Sequence, residues 1–253
     1  MRLPLWLLIF ICLLLSNAWL FGQTVYLRPF WGQHRLSMDE PNEDMRYRIN
    51  TLAFLNKVSL PVPQDLDKAA IYGLEALLKF DSDYFISVGT AYFKDETKLN
   101  YHSPSPANAI EYYFFRDIRY FELTTGIKYF PHYSSWRPIN VYFGFQVGLG
   151  VGWSRSDFQY RDDNPDIDEI DSRGDFSTNG LIGVGNIGFN FRLTGWLMLN
   201  GEAGYRFANL GQLEGQLKTI NATINNYTTS SSYDFSGFYA AIGLYFLIPV
   251  FSF

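Results

Sequence analysis

The chain has 253 residues and a formal net charge of −5, and its Lys and Arg residues form no visible stripe. This balance does not favour nucleic acid as a partner. Charged residues make up 18% of the sequence and aromatic residues 19%, with 18 Tyr and 23 Phe, which is unusual for a soluble domain but typical of a membrane barrel with aromatic girdles.

The first 22 residues have the pattern of a secretory signal peptide. Arg2 precedes an apolar run over 3–15, and small and polar residues follow. Because this run is short for a membrane-spanning helix, an uncleaved anchor is the less favoured alternative. We therefore expect residues 1–22 to be removed and residues 23–253 to form one barrel domain. Cys12 is the only cysteine, so the exported domain is expected to contain no disulfide.

Eight segments downstream alternate apolar and polar residues, which is the period of a β-strand. In the clearest of them, 139–154, the odd positions from Val141 to Trp153 are all apolar, and the even positions are small or polar, with four glycines. Glycine weakens a strand unless something large approaches it closely, so we expect this face to line a crowded lumen and the apolar face to meet lipid. The eight segments cover about 24–31, 71–80, 84–92, 119–130, 139–154, 186–193, 197–207 and 235–246.

The connections between these segments alternate between short and long. Outer-membrane barrels have short periplasmic turns and long outer loops, so the pattern predicts an amino terminus on the periplasmic side. The prediction is an all-β fold, an eight-stranded antiparallel up-and-down transmembrane β-barrel in the outer membrane of a Gram-negative bacterium. Within the first long connection, the sequence permits either a short helix over 64–72 or an extended strand. The long connections are 36–70, 95–118, 157–178 and 211–234.

The last segment contains Gly243-Leu244-Tyr245-Phe246-Leu247-Ile248, and the chain ends in Phe253. With these features and its strand pattern, the stretch 23–253 resembles the small outer-membrane β-barrel proteins. This group includes the transmembrane domain of the OmpA porin-like family and the OmpX and OmpW families. The resemblance implies that the glycine-to-aromatic spacing and Phe253 are recognised by the barrel-assembly machinery during insertion.

Charged residues on the predicted inward faces form the candidate site. Three acids and five bases in a narrow lumen are expected to pair, since an isolated buried charge is costly. We expect Glu75 beside Arg28 on the neighbouring strand, and Glu202 beside Arg206 on its own strand. The favoured interpretation is a structural ion-pair network that fills the lumen, and the alternative is a gated path that selects solutes. The predicted network comprises Arg28, Glu75, Lys79, Glu122, Lys128, Arg192, Glu202 and Arg206.

The histidines give little indication of catalysis. His34, His102 and His132 belong to different connections, so no two are expected to share a site. His102 precedes Ser103, but adjacent residues on an extended strand point to opposite faces. We expect no catalytic site, and a lipid hydrolase that uses His102 is the least favoured alternative.

The acidic stretch over 162–175 partly resembles a calcium-binding loop. Ile167 stands where the glycine of the tight turn belongs, and Arg173 stands in the place of the closing glutamate. A solvated acidic loop is therefore the favoured interpretation, and we expect no metal and no cofactor.

The expected role is non-enzymatic. The long outer connections favour a structural or interaction protein, either an adhesin or an accessory subunit, with an envelope protein as candidate partner and outer-membrane lipid around the barrel. A narrow passive channel for small solutes is the alternative.

Overall fold

The structure, a computed structural model, describes residues 24–55, 59–103, 110–162 and 170–248. The predicted signal peptide, the centre of the acidic stretch over 163–169 and the terminal Phe253 lie outside the described residues.

The described residues form ten strands and one helix, most of them where alternation or an outward apolar face predicts a strand. Their bounds are β1 Val25–Arg35, α1 Asp39–Leu55, β2 Lys68–Lys79, β3 Tyr84–His102, β4 Ile110–Tyr129, β5 Ile139–Asp162, β6 Ile170–Arg192, β7 Leu197–Phe207, β8 Asn209–Thr219, β9 Thr223–Asp234 and β10 Gly237–Ile248.

Eight of the strands close into a ring. The sheet order runs β5-β4-β3-β2-β1-β10-β7-β6, and β6 pairs back onto β5, with every pairing antiparallel. The predicted all-β antiparallel barrel is confirmed. Short turns join β2 to β3, β4 to β5 and β6 to β7, as predicted.

The predicted number of strands, eight, is wrong, because the described residues form ten. The two additional strands, β8 and β9, pair with each other as a hairpin, and β8 continues along β6 beyond the part that pairs with β7. They occupy the stretch 211–234, which is rich in Asn, Thr and Ser and was predicted to be a loop. Asn, Thr and Ser can form a strand here because, above the membrane, the outward face of the sheet meets water and can be polar.

The other long connections are also shorter than predicted. β3 reaches His102 and β4 begins at Ile110, while β5 reaches Asp162 and β6 begins at Ile170. In these upper parts many buried, inward residues are aromatic, among them Tyr112, Phe114 and Tyr160, beside the polar Thr97 and Arg116, whereas the outward residues are largely polar. The alternation therefore continues with its polarity reversed.

Of the two alternatives for 64–72, the extended strand is found from Lys68 onward, as part of β2, and the helix of this connection is α1, nearer its start. Asp39 and Glu40 lie in its first turn, where negative charge favours the helix dipole. Met45 and Ile49, four residues apart on one face, are fully buried against the inward residues Tyr112 and Tyr160. The helix thus packs into the outer end of the barrel. The one helix of the described residues, α1, does not have the length and apolarity needed to span a membrane.

The exterior of the ring carries an apolar belt. On β5 the belt runs from Ile139 to Trp153, and at about 3.3 Å per residue and a tilt of about 40° this corresponds to about 35 Å along the barrel axis. That height exceeds a hydrocarbon core of about 30 Å. The exposed belt residues include Ile86, Ile127, Val141, Phe143, Phe145, Val147, Leu149, Ile187, Phe189, Phe191, Leu199, Ile242 and Leu244, with Tyr84, Tyr129 and Trp196 at the short-turn end and Trp31, Tyr72 and Trp153 at the other.

Candidate functional site

The lumen is closed at its short-turn end by a cluster of aromatic side chains. Phe85 and Phe130 pack with their ring centroids 4.7 Å apart, and Phe130 and Tyr142 with theirs 4.9 Å apart. Tyr26 and Tyr245 complete the cluster, and their hydroxyl groups are the only polar groups they bring to it. The result is an apolar floor beneath the charged residues.

Four charged residues meet directly above this floor, each at most 7% exposed: Arg28, Glu75, Lys128 and Glu202. Lys128 Nζ lies 2.8 Å from both Glu75 Oε1 and Glu202 Oε2. Arg28 Nη1 lies 2.8 Å from Glu202 Oε2, and Arg28 Nε lies 3.0 Å from Glu75 Oε2 without hydrogen-bond geometry. Each cation contacts both carboxylates, so the four charges cancel, which offsets the cost of removing them from water.

Neutral side chains supply further hydrogen bonds to the same carboxylates. Tyr142 and Tyr239 donate their hydroxyl hydrogens to Glu202 at 2.5 and 2.8 Å. Tyr245 donates to Glu75 at 2.9 Å, and so does the amide of Gln146, also at 2.9 Å. Because buried carboxylates are stable only when their oxygens are well satisfied, these donors are part of the network.

A second ion pair lies one level further out. Arg206 donates from Nε and Nη2 to the two oxygens of Glu122, each at 2.7 Å, in a bidentate pair. Tyr120 donates to Glu122 at 3.0 Å, and His34 Nδ1 lies 3.2 Å from Arg206 Nη1. His34 is 1% exposed and faces the lumen from β1, although the sequence placed it near the first loop.

The predicted pairing of Glu202 with Arg206 is wrong. The two residues share the inward face of β7, but four residues of strand separate them by about 13 Å. Other strands are closer across the narrow lumen: Arg206 reaches Glu122 of β4, and Glu202 reaches Lys128 of β4 and Arg28 of β1. The predicted neighbours Arg28 and Glu75 are in contact.

Lys79 and Arg192 lie apart from the other six predicted residues. Both come last in their strands, at the short-turn end. Lys79 Nζ lies 5.1 Å from the ring centroid of Tyr133, and Arg192 Nε donates to the carbonyl oxygen of Thr194 at 3.1 Å. The structure therefore brings together six of the eight predicted residues and leaves these two at the rim.

Little space remains between the two ion-pair levels. A cavity of about 20 Å³ is bordered by Arg28, Glu75, Glu122 and Arg206, among others. That volume corresponds to about one water molecule. Within the described residues, the centre of the lumen is therefore packed rather than open.

An apolar plug lies outside the second ion pair. Phe93 and Tyr120 stack with ring centroids 4.6 Å apart, and Tyr120 stacks on Phe235 at 5.1 Å. Ile71 and Ile118, each 0% exposed, complete the plug. Above it, α1 covers the outer end.

The hydroxyl donors of the network were not part of the predicted site. Tyr120, Tyr142, Tyr239 and Tyr245 all occupy inward positions of their strands, so alternation assigns them to the lumen. Alternation does not show, however, which tyrosine reaches a carboxylate and which only fills space.

The histidines are found at three separate places. His34 faces the lumen, His102 is exposed and lies 3.5 Å from the carboxylate of Glu111, and His132 lies in a short turn with φ of 55°. Across the described ranges, no cluster of three or more His, Cys, Asp or Glu side chains could hold a metal ion.

No protein-family model matches the chain, and no curated protein matches it. Among solved structures, it is similar to Ail, the attachment invasion locus protein of Yersinia pestis, at 10% identity and a TM-score of 0.43, over 90% of this chain and 99% of that one. It is also similar to the outer membrane protein OprG of Pseudomonas aeruginosa, at 12% identity and a TM-score of 0.44, over 90% and 96%. It is similar as well to the outer membrane protein AlkL, at 14% identity and a TM-score of 0.37, over 90% of each chain. Likeness this weak carries no information on the role of this chain.

The chain is an integral membrane β-barrel. Its ring closes through the pairing of β5 with β6, so the backbone groups of the ring are satisfied within the barrel. Its belt exposes apolar side chains where a soluble barrel would be polar.

Proposed function

We propose that this protein is a non-conducting, non-enzymatic barrel that anchors a rigid outer structure for interaction with other molecules. The observation that supports this proposal is the filled lumen, which holds an aromatic floor, two levels of ion pairs and an apolar plug in series. The passive-channel alternative would need a continuous wet path through these layers.

The energetics of the lumen favour a permanently closed state. Opening a path would break the contacts of Lys128 with both Glu75 and Glu202, together with the tyrosine hydrogen bonds to these carboxylates. The apolar plug around Phe235 would also have to move. Thermal fluctuation alone would therefore open such a path only rarely.

The outer end provides a surface suited to a partner. Arg116 Nη1 of β4 donates to the carbonyl oxygen of Pro41 in α1 at 2.8 Å. Arg46 of α1 pairs with Asp65 of the following connection. These two contacts hold α1 in place. From this fixed helix Tyr47 and Phe54 project into solvent, 72% and 82% exposed. Exposed aromatic side chains on a rigid support are typical anchors of protein interfaces.

Conductance in a planar bilayer tests the closed lumen. The purified wild-type barrel is expected to give no discrete current steps at neutral pH, whereas a known porin in the same preparation provides the positive control. Reproducible single-channel steps from the wild-type protein would contradict the non-conducting part of the proposal.

Co-purification in mild detergent tests the interaction role. The wild-type protein is expected to retain a partner in fixed ratio, and the double variant Tyr47→Ala/Phe54→Ala is expected to lose it. Trp136→Ala is the matched control, because Trp136 is an equally exposed aromatic residue, at 86%, in a short turn at the opposite end. Loss of the partner in the control alone, or retention in the double variant, would exclude α1 as the binding surface.

A further inference from the structure

The lipid-facing side of β1, β10, β7 and β6 contains a groove. Strand register places Gln33, Ala240, Ala203 and Ile187 side by side across these strands. The two alanines are exposed and short, and they form the floor of a depression of about 650 Å³, within the range of about 300–1,000 Å³ that is typical of ligand clefts.

An aromatic ridge borders the groove on its outer side. Phe238 lies opposite Tyr205 in register, and their rings make an edge-to-face contact with centroids 4.8 Å apart. Next to Tyr205 the row continues with Gly185, where an added side-chain carbon would meet nothing within 4 Å. The depression therefore stays open toward β6.

Two cations lie together at the β1 edge of the groove. Arg35 on β1 is directly opposite Lys68 on β2, and both line the depression. Like charges directly opposite each other in a sheet are destabilising. Arg35 forms no ion pair within the described part of the chain, and Lys68 has only Asp67, 3.8 Å away, with the lysine 73% exposed.

The other outward cations just above the belt are paired with acids. Lys94 contacts Glu96 and Asp117, and Arg119 lies 2.6 Å from Asp117. Arg155 has Asp175 at 3.9 Å. The pair Arg35 and Lys68 has one acid, Asp67, for two cations, so one positive charge is left in excess, whereas Lys94, Arg119 and Arg155 are matched by acids.

The height of this cation pair defines the kind of molecule it can meet. Arg35 is four residues beyond Trp31 and Lys68 four residues before Tyr72, and both aromatics belong to the girdle at the end opposite the short turns. Girdle aromatics mark the level of the lipid headgroups. The two cations therefore face the headgroups of the outer leaflet, and the groove beside them lies where headgroups and acyl chains meet.

We propose that this surface binds one phosphorylated, acylated lipid of the outer leaflet. Its phosphate contacts the guanidinium of Arg35 and the ammonium of Lys68, and an acyl chain lies over Ala240 and Ala203 beneath the ridge of Phe238 and Tyr205. The planar, forked guanidinium suits phosphate oxygens, and the lipid phosphate relieves the repulsion between the two cations.

Native mass spectrometry of the detergent-purified barrel, titrated with bisphosphorylated lipid A, tests the site. The double variant Arg35→Gln/Lys68→Gln is expected to bind about 30-fold more weakly, which is about 2 kcal/mol at 1.4 kcal/mol per decade, or about 1 kcal/mol for each cation. The control Arg155→Gln, an exposed outward cation two residues beyond Trp153 on β5, is expected to change the affinity by less than about threefold. An equal loss in the control would overturn the proposal.

The groove is tested separately by filling it. Ala203→Phe is expected to reduce lipid A binding at least as strongly as the charge variant, while Thr125→Phe, an exposed lipid-facing position on β4, leaves binding unchanged. Dephosphorylated lipid A should bind the wild-type barrel as weakly as lipid A binds the charge variant. Equal binding of the two lipids, or a lipid-free dimer of the chain that Ala203→Phe dissociates, would overturn the proposal.

Discussion

The membrane-spanning half and the outer half of this barrel have opposite polarity on the same strands. Within the membrane, β5 presents Phe143, Phe145 and Val147 outward, and the lumen beside it holds the charges of Lys128 and Glu75. Above the membrane, the outward positions become polar, and the lumen is lined with apolar rings. The comparison shows that each surface follows its solvent, because lipid requires an apolar exterior and water does not.

The two halves also differ in how their interiors are stabilised. The lower interior depends on complete pairing of a few buried charges, and the upper interior on the burial of apolar area by α1 and the extended strands. Removing one member should therefore be far more damaging below than above, where neighbouring side chains can partly collapse into the space.

The largest expected effect is in the buried charge cluster. Lys128→Met keeps the side-chain volume but leaves Glu75 and Glu202 facing each other with Arg28 as their remaining cation. We expect the free energy of unfolding to fall by about 3–5 kcal/mol, because a carboxylate is left buried and incompletely paired. Urea unfolding in phospholipid vesicles measures the change. Lys218→Met, at an exposed position of β8, should stay within about 0.5 kcal/mol of wild type, and a similar result for Lys128→Met would show that the pairing is not essential.

A smaller effect is expected when a charge is placed on the lipid face. Val147 lies midway along the belt on β5 and is 49% exposed. Val147→Arg is expected to lower the free energy of unfolding by about 2–4 kcal/mol, the cost of a cation near the bilayer midplane. Gln159→Arg, outward on the same strand above the belt, is the control and should change it by less than about 0.5 kcal/mol. Equal effects at both positions would place the membrane boundary elsewhere.

The outer half should respond locally rather than globally. Met45 of α1 is fully buried against the inner wall. Met45→Ala is expected to weaken the packing of α1 on the barrel by about 2 kcal/mol. This is the lower end of the range for such truncations, because the site is near solvent. Limited proteolysis should then cut α1 faster while urea unfolding of the ring stays unchanged. Faster cleavage together with a lower unfolding midpoint would show that the two halves unfold as one unit.

The same polarity reversal explains how much could be predicted from the sequence. Alternation with apolar residues outward identified the membrane-spanning parts of eight strands and the inward charges. It failed above the belt, where Tyr112 and Phe114 are the inward residues and the outward face is polar, and in β8 and β9, whose Asn, Thr and Ser residues are typical of loops. Helix α1 was missed because two apolar residues at helical spacing, Met45 and Ile49, are too few to give the pattern of an amphipathic helix.

The partners within the site could not be predicted for a different reason. Alternation shows that Glu122, Glu202 and Arg206 face inward, but contact depends on how far the opposite wall lies across the lumen. In an eight-stranded ring that wall is nearer than a position four residues along the same strand. Partners across the lumen, such as Arg206 and Glu122, therefore follow from the closed geometry and not from spacing along the chain.

The smallest expected effect is a pH dependence at the boundary between the halves. Asp95 faces inward on β3, two residues beyond Phe93 of the apolar plug, and burial raises the pKa of its carboxyl to about 6. Because the folded pKa exceeds the unfolded value of about 3.9, the fold favours the protonated acid, and stability from this group is lost as pH rises from about 4 to about 6. Asp95→Asn should remove this loss. We expect it to raise the free energy of unfolding at pH 7.5 by about 1 kcal/mol, because solvent partly screens the buried charge. At pH 4 the free energy of unfolding should be nearly unchanged. Urea midpoints at the two pH values measure the difference, and a variant that is equally stabilised at both would show that the titration of Asp95 is not the cause.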